Sequence, residues 1–270
     1  MKIVVVGTRG IPDIQGGVET HCEELYPRLA AMGHDVTVVR RSCYVTPQNK
    51  IKEYKGVHLK DIYAPRRKSI EAIVHTFLAI IYARWVGADV LHIHAIGPAL
   101  LTPLARLLGL RVVMTHHGPD YDRQKWNKTA KSVLRWGERM GTNYANEVIV
   151  ISTVIDNILR EKYDRTDAHL IYNGVNKPVP AKDDSYIRSL GLTPRRYVLA
   201  VGRFVEEKGF DLLIKAFARI SDSNCKLVIA GDADHEDHYS VSLKRLAEEK
   251  YIIIVVTHDY EFLNRACKRY

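Results

Sequence analysis

Cysteine is scarce in this sequence: Cys22, Cys43, Cys225 and Cys267 stand far apart along 270 residues and form no C-x-x-C pair. That spacing excludes a disulfide framework and a cysteine-built zinc site, and it fits a reducing cytoplasm. Long apolar runs are lacking too. The first, Ile3–Val6, is too short for a secretory leader and abuts a glycine loop, so export is not expected. The stretch Ala72–Trp85 contains His75 and Arg84 and falls short of the roughly 20 apolar residues a spanning helix needs. No tract is of low complexity, and no G-x-x-x-x-G-K-[ST] segment exists to cradle the phosphates of an ATPase.

What is present suits a soluble α/β protein. A hydrophobic content of 46% over this length is enough for a core without staples. The net charge of +9 calls for an anionic partner. Basic residues gather at Arg66, Arg67 and Lys68 before the apolar stretch Ile70–Val86. They gather again at Arg123, Lys125, Lys128 and Lys131, interleaved with Trp126 and Trp136. Both clusters read as interfacial helices rather than as a nucleic-acid reader. For Ala72–Trp85 two readings stand side by side: a helix lying on an anionic membrane surface, or one packed on a sheet.

Short β-branched runs alternate with helical periodicity, the pattern of parallel strands joined by crossover helices. Strands are expected at Lys2–Val6, Asp35–Val39, Val57–Ile62, Val90–His94, Val112–Thr115, Val148–Ser152 and His169–Ile171. From Gly17, apolar residues recur at helical steps through Val18, Cys22, Leu25 and Leu29 until Gly33 stops the helix. The proline- and aspartate-containing stretch Asn173–Pro194 reads as a connection, so the chain divides into residues 1–175, a linker at 176–195, and residues 196–270. After it the theme restarts with a strand at Tyr197–Val201, a helix at Phe210–Ile220 and a strand at Lys226–Ala230. Two such halves are expected to face a cleft that takes a ligand of two parts.

The loop Gly7–Gly17 lies between the first strand and the first helix, where glycines admit a ligand to the backbone and helix N–H groups favour phosphate or sugar hydroxyl. Its spacing is not G-x-G-x-x-G, although Arg40-Arg41 at the end of the second strand would suit a ribose phosphate. An NADP-dependent oxidoreductase is therefore a lesser alternative, weakened by the lack of a Tyr-x-x-x-Lys pair at Tyr121, Tyr144 or Tyr163. His92 and His94 alternate on one strand, but no third ligand has suitable spacing, so no metal is expected.

Several phrases in order resemble the family-four retaining glycosyltransferases of the GT-B fold. They are Gly16-Gly17-Val18-Glu19-Thr20-His21, Leu29 to Val38, Thr115-His116-His117-Gly118, Ile171 to Val175, Val201-Gly202-Arg203-Phe204, and Glu207-Lys208-Gly209 running to Leu213. The resemblance implies two Rossmann-like domains facing a cleft, the first taking the acceptor and the second a nucleotide sugar. It implies that Gly16 and Gly17 lie near the donor diphosphate and the transferred sugar, and that Gly202, Arg203 and Lys208 bind the diphosphate. Arginine and lysine can neutralise the phosphate charge that builds as the nucleotide leaves, without a metal. The resemblance also puts His117 at the transferred hexose, with His116 beside it as the competing choice. Glu19 and Asp120 are polar candidates for the acceptor hydroxyl. The implied activity is hexose transfer, with retention, to a glycan or lipid-linked acceptor in cell-surface polysaccharide synthesis, in the cytoplasm or on the inner face of the membrane.

The family's donor half normally continues to a Glu-x7-Glu segment, which this sequence does not reach, so an incomplete donor-side domain is expected. The tail Ile252–Leu263 resembles the switch-histidine strand of ABC-transporter ATPases, an activity excluded above. A plainer reading makes Tyr251–Val256 the next strand and Asp259–Lys268 a divergent helix. The alternative function is a catalytically idle module that binds an acceptor or a membrane.

Overall fold

The computed structural model describes residues 1–67, 70–122, 126–177, 183–220, 224–231, 233, 238–249 and 253–255. Lys68, Arg123, Lys125, residues 178–182 of the expected linker, Tyr251, Ile252 and the tail from residue 256 onward, which entered the expectations above, lie outside the described residues. The chain forms two compact units, Met1–Val175 and Asn176–Tyr270.

The first unit begins with β1 (Lys2–Val6), whose Val4, Val5 and Val6 have no exposure at all. A strand buried on both faces belongs inside a parallel sheet. Then follow α1 (Gly17–Ala31), β2 (Asp35–Arg41), β3 (Glu53–Tyr54), β4 (Val57–Ile62), α2 (Glu71–Trp85), β5 (Val90–His94), α3 (Thr102–Leu107), β6 (Val112–His116), α4 (Lys128–Tyr144), β7 (Glu147–Val150), α5 (Thr153–Tyr163) and β8 (His169–Leu170). The sheet order is β3-β4-β2-β1-β5-β6-β7-β8, and every pairing is parallel except the short β3–β4 hairpin.

The order of strand addition reverses at β1. The step from β1 to β2 runs one way, and α1 covers one face, packing Cys22 and Tyr26 on Ile3, Val5, Val36 and Val38. From β5 to β8 the strands, still parallel, are added toward the other edge of the sheet, and α3, α4 and α5 cover the opposite face together with α2. Right-handed crossovers require this change of face when direction reverses, and the crevice beside the reversal is where open α/β sheets bind ligands.

Three local differences from the sequence expectations stand out. The strand expected over Val148–Ser152 ends at Val150, because Ser152 caps α5 by accepting a hydrogen bond from the Ile155 N–H at 3.3 Å. The helix expected to reach Ile220 ends at Phe217. The stretch taken as a linker carries the helix α6 (Ser185–Ser189), whose Ile187 packs with Leu192 on Val228 of the following sheet.

Helix α2 turns His75, Thr76, Ala79, Ile80 and Ala83 inward, as the sheet-packed reading expects. It also exposes Phe77, Ile81 and Trp85 at four-residue spacing, by 46%, 45% and 81%. Among the described residues no helix is long and apolar enough to cross a membrane.

The second unit continues from α6 with β9 (Tyr197–Val201), α7 (Phe210–Phe217), β10 (Lys226–Ala230), α8 (His238–Glu249) and β11 (Ile253–Val255). Its described strands form a parallel sheet, β11-β10-β9. Strand β11 falls inside the run Tyr251–Val256 that the sequence marks as the next strand. Phe204, Phe210, Ile214, Leu227, Ile229 and Leu243 form the core between this sheet and its helices.

Candidate functional site

The residues singled out in the first unit converge on the carboxyl edge of the sheet beside the β1–β5 reversal. Gly16 caps α1 at φ 155°, and a Cβ there would overlap the Glu19 carboxylate, whereas a Cβ on Gly17 would meet open space. Glu19 is buried. Its Oε1 accepts from the Arg9 N–H at 2.9 Å and from the Thr8 hydroxyl at 3.3 Å. The carboxylate thus braces the loop from within. Arg40 and Arg41 are braces too. Arg40 is buried and donates to Asp61 at 2.7 Å and to the carbonyls of Asn49 and Ile51; Arg41 donates to Glu71 at 2.7 Å and to the Gly7 carbonyl. Guanidinium groups so engaged are poor partners for a ribose phosphate, which removes the main support for the oxidoreductase alternative.

Five side chains from α1, β5 and the end of β6 form a continuous hydrogen-bonded series. Thr115 Oγ1 lies 2.7 Å from His92 Nε2, and His92 Nδ1 lies 2.9 Å from the Tyr26 hydroxyl. The same hydroxyl bonds His94 Nε2, and His94 Nδ1 lies 2.8 Å from His117 Nε2. Tyr26 has one proton, so it donates to one imidazole and accepts from the other. Every bond in the series must therefore point the same way, toward His117 or away from it. His21 completes the group, edge-on to His94 and His117 with ring centroids 5.8 and 5.3 Å away.

Burial keeps these rings neutral. It is the main cause that lowers His92 to about 3 and His117 to about 3, with neighbouring imidazoles adding to it. His94 is held well below its usual value in the same way, and His21 is lowered by burial. A neutral imidazole in this position can bind a hydroxyl as donor or acceptor without charge to desolvate.

His116 and His117, adjacent in sequence, have different surroundings. His116 is buried; its Nδ1 accepts from the Gly118 N–H at 3.1 Å and its Nε2 meets Glu138 at 2.8 Å. Glu138 also accepts from Tyr121 and, at 2.7 Å, from Tyr163. It reaches this position because α4 lies very close to the sheet's edge: a Cβ on Gly137 would overlap the Ile96 carbonyl. His117 is half-buried and joins the other imidazoles. Asp120 follows in the 3-10 turn Asp120–Asp122 on the same edge.

In the second unit the loop after β9 carries Gly202, Arg203 and Lys208 to the start of α7. Arg203 and Lys208 are exposed. A Cβ on Gly202 would lie 3.3 Å from Phe210 and 3.9 Å from Lys208 Cδ, so the lysine stem runs back across the glycine. Lys208 thus stands just before the N-terminus of α7, with Arg203 in the same loop, an arrangement that favours phosphate.

The sequence reading gave no role to His21 and Thr115, although both stand in the quoted family phrases, and it left out Tyr26 and Glu138. Of the series, His92 and His94 carried the signal of alternation on one strand, and His117 that of the phrase Thr115-His116-His117-Gly118.

Comparison with known proteins agrees with this layout. The family model described as Glycosyltransferase Family 4 matches residues 15–177, and the one described as Glycosyl transferases group 1 matches residues 183–260. An uncharacterized glycosyltransferase of Methanocaldococcus jannaschii is 26% identical over 262 residues, covering 88% of this chain and 65% of that protein. The alpha-maltose-1-phosphate synthase of Mycobacterium tuberculosis is 27% identical over 269 residues, covering 93% and 66%. The chain therefore spans just under two thirds of these relatives' length. Among solved structures, sucrose-phosphate synthase from Thermosynechococcus elongatus superposes with a TM-score of 0.74 at 19% identity, covering 97% of this chain and 72% of that one. Anabaena HepE in complex with UDP-glucose superposes with a TM-score of 0.73 at 17% identity, covering 96% and 70%. These likenesses give the fold as GT-B, and the family match over more than half of its residues means that the chain belongs to glycosyltransferase family 4.

Proposed function

We propose that the protein transfers a hexose from a nucleotide diphosphate sugar to a hydroxyl of a glycan or lipid-linked acceptor, with retention at the anomeric carbon, in cell-surface polysaccharide synthesis. The observation that carries this reading is the loop that brings Gly202, Arg203 and Lys208 to the start of α7, with Lys208 just before the helix N-cap. Those cations offset the charge that collects on the diphosphate as the glycosidic bond to the nucleotide breaks, a role that needs no metal. Gly17 leaves backbone open to the diphosphate or the sugar. His117, neutral and backed by His94, bonds a hexose hydroxyl, and Asp120 is the polar group assigned to the acceptor. A relative named as a glycosyltransferase and a structural neighbour bound to UDP-glucose support the donor class.

Calorimetry with UDP- and GDP-sugars tests the reading. Arg203→Ala and Lys208→Ala should each weaken donor binding by about tenfold or more, in line with charge-assisted bonds of about 1.5–3 kcal/mol. Unchanged affinity would remove both residues from the site.

A second reading is favoured by α2. Its outward stripe Phe77, Ile81 and Trp85, with exposed Arg66 and Arg67 just before the helix, suits a peripheral module on the inner, anionic face of a membrane. Liposome binding that persists without nucleotide release from any donor would favour this module over the enzyme.

A further inference from the structure

The hydrogen-bonded series that ends at His117 has one closed end and one open end. At the closed end Thr115 is buried on β6, and among the described residues its hydroxyl has no partner other than His92 Nε2. At the open end His117 Nε2 meets His94, while Nδ1 has no partner among the described residues and is not sealed from solvent. Tyr26 has one proton and so has each neutral imidazole, so the closed end decides what the open end presents. We infer that Thr115, His92, Tyr26 and His94 are positioning residues that hold the proton of His117 on Nδ1, so that His117 meets the transferred hexose as a hydrogen-bond donor; this rests on the assignment of His117 to the hexose.

Two arrangements are open. In the one that points away from His117, its Nε2–H donates to His94 Nδ1, His94 Nε2–H donates to Tyr26, Tyr26 donates to His92 Nδ1, and His92 Nε2–H donates to Thr115. The Thr115 hydroxyl then keeps its own proton with no acceptor among the described residues. In the opposite arrangement Thr115 donates to His92 Nε2, His92 Nδ1–H to Tyr26, Tyr26 to His94 Nε2, and His94 Nδ1–H to His117 Nε2. No buried proton is left over, and His117 keeps its own on Nδ1, where water or a ligand satisfies it. A buried donor without an acceptor disfavours its state by roughly tenfold to a hundredfold, so the second arrangement prevails.

The surroundings keep the series strict. Burial and the neighbouring imidazoles hold His92, His94 and His117 neutral, so no ring carries a second proton that would let the direction change partway. His21 stands edge-on to His94 and His117 and takes no hydrogen bond from either, so it does not divert the series. The fixed tautomer has a consequence for the ligand. A hydroxyl both donates and accepts, and an imidazole free to switch would take it either way. One fixed as a donor takes the sugar oxygen only through a lone pair. A sugar with an ammonium at that position has no lone pair to offer and is disfavoured.

Long-range proton–nitrogen correlation spectra of the isotope-labelled full chain, without ligand, read the tautomers. His92, His94 and His117 should each show a protonated Nδ1 and a bare Nε2; any of the three in the Nε2–H form would overturn the inference. Thr115→Val keeps the shape and removes the deciding proton. Either direction then leaves one group unpaired at His92 Nε2, so the Nε2–H form of His94 and His117 should rise from under about a tenth to about half. An unchanged spectrum in a folded Thr115→Val would overturn the role of the series. Glucose linked to UDP or GDP, whichever the parent binds, is the ligand probe, with the bare nucleotide as control. The sugar nucleotide should return Thr115→Val to the Nδ1–H form of His117, and the nucleotide alone should not. A bound sugar nucleotide that leaves the mixture as it was would overturn the donor role. Failure of the parent to bind either sugar nucleotide would count against sugar transfer instead, and the spectra of the free chain still decide the tautomer.

Discussion

The imidazole of His116 and the carboxylate of Glu138 meet at 2.8 Å inside the first unit, both almost wholly out of water. Burial alone would push the Glu138 carboxyl up, but hydrogen bonds from His116, Tyr163 and Tyr121 outweigh it and hold the group below the usual glutamate range. An ionised carboxylate at this depth survives only because its partners are present. Glu138→Ala removes the acceptor of three donors, two of them buried, and should cost about 3–5 kcal/mol in urea unfolding. Glu138→Gln keeps the shape and should cost about half as much. A loss below about 1 kcal/mol for the alanine variant would mean that the network does little for stability.

Tyr26 presents a second buried dependency. Its hydroxyl is shared by His92 and His94, both buried. Tyr26→Phe leaves a ring nitrogen unpaired on each histidine and should lower stability by about 1–3 kcal/mol with little change in packing volume. Equal stability of the two proteins would show that the phenol is not what satisfies those rings.

Acid sensitivity should trace in part to His75. Burial is the main cause, with the Arg41 charge second, that lowers this ring from 6.5 to about 4. Its folded value lies below the unfolded one, so the unfolded chain takes up a proton that the folded chain refuses. The stabilising difference is complete above pH 6.5 and is lost as pH falls toward 4. It amounts to roughly 2 kcal/mol between neutral pH and pH 5. His75→Leu should flatten the stability profile by that amount, read from denaturant midpoints at the two pH values. Parallel profiles for variant and parent would remove His75 from the acid transition.

The sequence showed the strands well where β-branched residues run unbroken, as in Lys2–Val6 and Lys226–Ala230, because burial on both faces leaves little choice of residue. It was less clear where a polar residue had two roles available: Ser152 reads as a strand end but serves as a cap. The candidate site divides in the same way. Local phrases such as Gly16-Gly17 and Gly202-Arg203 are contiguous and could be seen. The meeting of His21 with His94 and His117 depends on which strands are neighbours, and residues 73 and 96 positions away carry no mark of it in the chain. Glu138 was hidden for a related reason, since its place in the core depends on the glycine beside it letting α4 come close to the Ile96 carbonyl.

Gly16 and Gly17, adjacent in sequence, should respond in opposite ways to alanine. At Gly16 the backbone has φ 155° and a Cβ would press on the Glu19 carboxylate that holds Thr8 and Arg9. Gly16→Ala should therefore destabilise the protein by about 1–3 kcal/mol through strain in the loop. At Gly17 the space is open and the residue opens a helix, so Gly17→Ala should leave stability unchanged or raise it by up to about 1 kcal/mol. If open backbone at Gly17 is kept for the diphosphate or the sugar, the same methyl should still weaken nucleotide-sugar binding. Calorimetry and urea unfolding on both variants separate the two roles: a Gly17→Ala protein of full stability and full donor affinity would show that this glycine serves only the turn.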